Sequence, residues 1–231
     1  MGRLTQAQLV RQAEIFVTNG AKPAAQAVIA TVGYGPAALD QGQALVDAVK
    51  AGLALTKEQL AAQKNATQAE KQARQAAQKE ISSLAETARL LFAGDEPALT
   101  LLGLKTQYVR GETGPQAAPV SQAAAEMISR WRQLAANAPQ LPPEQAAVLT
   151  AAGWGEARIT AVAALVEAYA AADTAQQSVI QLYQKTSAQS RTDVETLRAW
   201  YSRARQLCGL AIKDSDPRNQ QNLRELLGLD G

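Results

Sequence analysis

The chain has 231 residues, a net charge of +2, no histidine and a single cysteine, and only 4% of its residues are aromatic. Without histidine there is no Ser-His-Asp or Cys-His nucleophile, no His-ligated zinc or haem, and no Glu-x-x-His di-iron site. One cysteine excludes an intramolecular disulfide and a cysteine-rich metal centre. Residues 1–110 carry 12 basic and 9 acidic side chains and residues 111–231 carry 11 and 12, so neither half has the basic excess of a protein that lives on phosphates.

Alanine, glutamine, leucine, glutamate, lysine and arginine dominate, a helix-forming mixture, and the β-branched runs are too short to suggest a sheet. Leu9, Ala13, Phe16 and Val17 share one helical face, predicting a first helix that opens near Leu4 and stops at Asn19-Gly20. Pro23 opens a short second helix, where its missing N–H had no partner to lose. Gly33-Tyr34-Gly35 then makes a turn. Beyond it Leu39, Gly42, Val46, Val49, Leu53, Thr56 and Leu60 alternate spacings of three and four, the seam of a long third helix. About 28 residues of helix would span roughly 42 Å. Thr67-Gln68-Ala69-Glu70 fits a capping box, so a fourth helix is expected there, with Ala77, Ile81, Leu84, Ala88 and Leu91 in its stripe. Without that break, helices three and four would fuse into one rod of roughly 60 residues, too long for a compact domain.

Gly111-Glu112-Thr113-Gly114-Pro115-Gln116-Ala117-Ala118-Pro119 reads as a linker through which neither flanking helix continues. The same plan then repeats. Val120, Ala124, Met127, Trp131 and Leu134 mark a helix, Pro142-Pro143 opens a short one, and Gly153-Trp154-Gly155 makes the turn. Ile159, Val162, Val166, Tyr169, Asp173, Gln176, Ile180 and Tyr183 form the seam of a second long helix. Thr186-Ser187-Ala188-Gln189-Ser190-Arg191 is the expected polar break, followed by the capping-box pattern Thr192-Asp193-Val194-Glu195 and a stripe of Val194, Leu197, Tyr201, Ala204 and Cys208.

The two halves match at a drifting offset. Gly33-Tyr34-Gly35 meets Gly153-Trp154-Gly155 120 positions on, Ala88-Arg89 meets Ala204-Arg205 at 116, and Leu101-Leu102-Gly103-Leu104 meets Leu226-Leu227-Gly228-Leu229 at 125. Length changes in turns leave the apolar faces in phase, so the pattern predicts an internal duplication. The expected fold is all-α: two tandem antiparallel, up-and-down four-helix bundles, residues 1–110 and 120–231, joined by the linker 111–119.

Gly33-Tyr34-Gly35 leading to Gly42-Gln43-Ala44-Leu45, Leu197-Arg198-Ala199-Trp200-Tyr201-Ser202, and the terminal Leu226-Leu227-Gly228-Leu229 carry a family likeness. Together they make most of the chain resemble an uncharacterised bacterial family of helical-bundle proteins. The resemblance implies a bundle fold and brings no activity with it. The first copy departs from it, with Ser83-Leu84-Ala85-Glu86 where the second has Trp200-Tyr201.

The sharpest local candidates are the turns Gly33, Tyr34, Gly35 and Gly153, Trp154, Gly155. Glycines before a helix resemble helix-hairpin-helix modules, whose backbone N–H groups approach a DNA phosphate. The alternative is that glycine reverses the chain and the aromatic ring plugs the bundle end. Near-neutral charge, Glu156 and Asp40 favour the plug. Arg130, Trp131 and Arg132, with Arg198, Trp200, Tyr201, Arg203 and Arg205, interleave charge and rings as single-stranded nucleic-acid binders do. Trp131 lies in the apolar stripe, however, which favours a packed core with charged shoulders. Asp173 and Gln176 interrupt a seam and would fix register or face a ligand. Asp95-Glu96 and Asp214-Ser215-Asp216 lack the spacing of a calcium loop and read as solvated turns. Cys208 reads as a small core residue rather than a reactive thiol.

No catalytic, cofactor-binding or metal-ligating set emerges, and no phosphate loop. The N-terminus has no apolar h-region, Gln6 stands where a myristoylation signal needs Ser or Thr, and no window approaches 18 apolar residues. The expectation is a cytoplasmic, non-catalytic protein–protein interaction or scaffolding module, bound to an unknown protein partner or to itself, with no membrane. Nucleic-acid binding through the two turns is the alternative.

Overall fold

The computed structural model describes residues 4–104 and 120–229, and the chain is all-helical, with no strand among the described residues. Helix α1 (Gln6–Gly20) starts on a capping box. Thr5 Oγ1 accepts the Gln8 N–H at 3.3 Å, and Gln8 Oε1 accepts the Thr5 N–H at 3.0 Å, so two otherwise orphaned donors are satisfied. Helix α2 (Pro23–Ile29) and its counterpart α6 (Pro143–Ala151) both begin on proline, as expected. Helix α5 (Val120–Asn137) carries the stripe predicted for it, with Leu134 buried and Trp131 half-buried; the side chains at 120–123 and the linker 111–119 lie outside the described residues. Two short helices, α4 (Glu96–Leu101) and α8 (Pro217–Leu226), are capped by Asp95 and Asp216.

The long helices depart from expectation. Helix α3 runs unbroken for 56 residues, Pro36–Leu91, and α7 for 58, Glu156–Lys213. Both supposed capping boxes lie mid-helix. The Thr67 hydroxyl donates backwards to the Gln63 carbonyl at 2.9 Å, and that of Thr192 to Ala188 at 3.2 Å. Within a helix a threonine hydroxyl can share the carbonyl four residues back with its own backbone N–H, so the same residue serves a cap or an interior position. The expected polar break at 186–191 is also helical, and Thr186 and Ser190 are buried. A Cβ added at Gly52 would meet Ser190 Oγ at 3.4 Å, so the small polar residues there mark a close approach of α3 and α7 rather than a loop.

Continuity of α3 and α7 decides the domain organisation. The chain forms two compact units, one of Met1–Ala62 with Ile180–Gly231, the other Gln63–Val179. The units follow neither half, 1–110 or 120–231. Residues 36–62 of α3 belong to the first unit and 63–91 to the second, while 156–179 of α7 belong to the second and 180–213 to the first.

In the first unit Leu9, Phe16, Ile29, Leu39, Val46 and Val49 from the N-terminal segment pack with Val194, Leu197, Tyr201, Cys208 and Ile212 of α7 and Leu223 and Leu227 of α8. In the second, Ile81, Leu84, Ala88, Phe92 and Leu102 pack with Leu134, Leu149, Trp154, Ile159, Val162, Val166 and Tyr169. Each fully buried leucine or isoleucine contributes about 1.5–3 kcal/mol, which makes these stripes the main stabilising term of each unit.

Candidate functional site

The two Gly-aromatic-Gly turns are built alike. In the first, a 3-10 turn (Ala30–Val32) extends α2 and ends at Gly33, where φ is +87°. The Tyr34 N–H donates to the Ile29 carbonyl and the Gly33 N–H to Ala30, both at 3.1 Å, the paired bonds of a Schellman end. In the second, φ at Gly153 is +85°, and the N–H groups of Trp154 and Gly153 donate to Leu149 and Thr150 at 3.1 and 2.9 Å. A side chain at either glycine would be strained in this left-handed conformation. Gly35 and Gly155 then open the long helices by accepting N–H groups from the residues three and four places on.

The rings point inward. Tyr34 is 7% exposed and meets Phe16 and Trp200 edge-on, with centroids 6.1 and 5.9 Å away. Burial pushes its phenol above the ordinary range, the neighbouring Cys208 adds to the shift, and Arg203 opposes it. Trp154 is 2% exposed, and its indole N–H donates to Thr87 Oγ1 at 3.2 Å. Arg158 lies over the Trp154 ring, 3.6 Å from its centroid, and also pairs with Glu80 at 3.1 Å. The cation nearest the second turn is thus already held by a ring and a carboxylate.

The N-termini that would face a phosphate are poor hosts for one. Pro36 removes a donor from the first turn of α3, and Glu156 places a carboxylate in the first turn of α7. A shallow groove of about 520 Å³ beside the first turn is lined by Val32, Tyr34, Leu45, Trp200 and Leu207 together with the polar Gln41, Thr196 and Arg203.

Four of the five interleaved arginines are engaged by neighbouring groups. Arg132 grips Glu167 through two bonds of 2.7 and 2.6 Å, and this bond holds the Glu167 carboxyl below its usual range. Arg130 lies 3.8 Å from Glu126. Arg198 bonds Glu195 and Arg205 bonds the Leu229 carbonyl. Trp131 packs against Tyr169 with centroids 5.7 Å apart. Asp173 and Gln176 are part-exposed; Gln176 donates to Thr67 Oγ1 at 3.1 Å and Asp173 accepts from Gln177. Asp95 caps α4 and accepts from Gln145 as well. Cys208 is fully buried, and burial pushes its thiol up to about 12. Among the described residues no group of three His, Cys, Asp or Glu side chains could hold a metal ion, and no helix is long and apolar enough to cross a membrane.

Two contacts were missed in the sequence. Asn19, read only as a helix terminator, donates its side-chain amide to the Leu226 carbonyl at 2.7 Å, and Asn137 donates to Leu101 at 2.6 Å. The signal was present, because Asn19 and Asn137 match at an offset of 118, as do the Leu-Leu-Gly-Leu ends that they hold at 125. Comparison with protein-family models, curated proteins and solved structures finds no match.

Proposed function

We propose that this protein is a cytoplasmic, non-catalytic protein–protein interaction or scaffolding module, acting on a protein partner or on a second copy of itself, and that its units are duplicated four-helix bundles. Paired geometry supports the duplication. Gly33 and Gly153 share one Schellman end, Gly103 and Gly228 share another, and Asn19 and Asn137 hold equivalent carbonyls. In each unit three shorter helices stand with one half of α3 and one half of α7: α1, α2 and α8 in the first, α4, α5 and α6 in the second. We take α1 and α2, or α5 and α6, with the two halves as the four members of each bundle, and α8 or α4 as an added cap.

The observation that carries the functional reading is the inward placement of Tyr34 and Trp154. A ring buried against its own bundle fastens the turn and is withdrawn from any ligand. What remains outward is helix surface. Leu90 is 80% exposed and Leu210 56%, apolar side chains that a partner could cover. The nucleic-acid alternative would need free N–H groups and cations at the turns, where Pro36, Glu156 and the engaged Arg158 stand.

Capture from a native lysate tests the reading. The parent chain should retain a stoichiometric protein partner, or a second copy, that Leu90→Glu or Leu210→Glu releases. Fluorescence anisotropy at two salt concentrations should show no binding to duplex or single-stranded DNA. Salt-sensitive binding that Gly35→Glu and Gly155→Glu both abolish, with folding intact, would overturn the reading in favour of its rival. Both positions have room for the added side chain, since no atom lies within 4 Å of a Cβ at Gly35 and the nearest at Gly155 is 3.8 Å away.

A further inference from the structure

We propose that two pairs of residues of exchanged size, Gly42 with Trp200 and Ala13 with Tyr201, select the partner of each long helix, so that the first half of α3 accepts the second half of α7 and rejects the second half of α3. The inference rests on the duplicated register read above.

Gly42 lies under the Trp200 indole. A Cβ added there would stand 2.2 Å from Cη2 and 2.3 Å from Cζ2 of that ring, and 2.9 Å from Val17 Cγ2. Two carbons never approach so closely, so the ring or the helix would have to shift, and a shift of the ring disturbs two aromatic contacts. Phe16 and Tyr34 both meet it edge-on with centroids 5.9 Å away. The site takes an indole only because residue 42 has no side chain.

The offset of 120 places Val162 where Gly42 stands, and the offset of 116 places Leu84 where Trp200 stands. Both are buried in the core of the second unit, Val162 at 1% and Leu84 at 0% exposure. The second pair repeats the exchange. Ala13 is fully buried in the core that takes Tyr201, whereas Trp131, its match at 118, lines one groove with Ala85, the match of Tyr201. Small with large in one unit faces medium with medium, or large with small, in the other.

Now let each copy close on itself, or let one half pair with a second copy of the same half. Val162 would meet Trp200 in space that excludes even one added carbon, and Trp131 would meet Tyr201 where the buried Ala13 stands. Gly42 would meet Leu84 and Ala13 would meet Ala85, leaving voids. Overpacking and cavities both destabilise, so the mismatched pairings lose on both sides while the exchanged pairing fits on both. Discrimination therefore comes from rejecting the wrong partner as much as from holding the right one.

The test uses the full chain with Cys208→Ala, carrying Gly52→Cys and Ser190→Cys as a reporter. A Cβ at Gly52 lies 3.5 Å from the Ser190 Cβ, within the range that a disulfide spans. After unfolding, oxidative refolding and cleavage in the segment 111–119, the exchanged pairing leaves the two fragments covalently joined. The parent should be joined almost completely. Gly42→Val should lose most of the cross-link and lower the thermal midpoint, and adding Trp200→Leu should restore both. In mirror image, Leu84→Trp should be rescued by Val162→Gly. No cross-link in the parent overturns the exchange of halves and the selection with it. A cross-link in the parent, with no recovery on adding Trp200→Leu, overturns the selection alone. Rescue at 42 and 200 without rescue at 84 and 162 overturns the duplicated register, and so the claim that both units discriminate.

Discussion

In the first unit the bulk arrives on α7: Trp200 meets Phe16 and Tyr34, Tyr201 meets Phe16, and the Trp200 indole lies over Gly42. In the second unit the corresponding stretch of α3 brings only Leu84 and Ala85, and the rings come instead from Phe92, Trp131, Trp154 and Tyr169. The backbone devices are nonetheless the same, from the positive-φ glycines to the asparagine that holds a short helix end. The difference separates two layers of specification. Turns and caps set the path of the chain, residue by residue. The core answers to total volume and tolerates its redistribution among elements.

The largest expected effects test whether both cores carry weight. Leu84→Ala in the second unit and Leu197→Ala in the first, both at 0% exposure, should each cost about 2–5 kcal/mol in urea unfolding. An unchanged midpoint in either variant breaks the burial assignment for that unit. Alkaline titration should then tell the units apart. Folding holds the Cys208 thiol at about 12 against an ordinary 9.0, and among the described residues raises Tyr34 and Tyr201 in the first unit and Tyr169 in the second. The unfolded chain gives up these protons first. Stability should be flat up to about pH 9 and fall as the pH rises towards 12, less so in Cys208→Ala. Native Cys208 should resist alkylation until the unit opens.

Smaller effects sharpen the comparison. Asn19→Ala should cost about 0.5–1.5 kcal/mol, and Asn137→Ala towards the lower end, because the second hydrogen bond is solvent-exposed and the first half-buried. Arg158→Ala should cost about 0.5–1 kcal/mol through loss of its stack on Trp154. Arg132→Ala should leave the midpoint unchanged, since its pair with Glu167 is exposed. A larger loss at Arg132 than at Arg158 would reverse that ranking.

What was legible in the sequence follows from how local each signal is. Pro23, Pro143, Gly33 and Gly153 act within one turn of chain, and their elements lie where the residues place them. The inward placement of Tyr34 and Trp154 was one of two alternatives, the one that the carboxylates and low charge around them favoured. Continuity of α3 and α7 was not. Thr67 and Thr192 satisfy a helix N-terminus and a helix interior with the same hydroxyl, and the alanine-rich sequence around them favours helix in either case. The choice between turning back and continuing is made by the partner across the seam, at contacts such as Gly52 with Ser190. Gly42 was read as one seam position among several, because nothing within its own helix says that an indole from 158 residues away will occupy its place.

The exchange of halves also fixes an order of events at the ribosome. The second unit is one contiguous stretch, Gln63–Val179, and its tertiary hydrogen bonds join residues such as Asn137 and Leu101, 36 apart, or Gln145 and Asp95, 50 apart. Its loops can close while the chain is still growing. The first unit joins Tyr201 to Gln12 across 189 residues and Asn19 to Leu226 across 207. The core that residues 1–62 share with residues 180–231 therefore cannot be completed until the chain has been made through Leu226. Of the two units, the one that begins first in the sequence is the last to be completed.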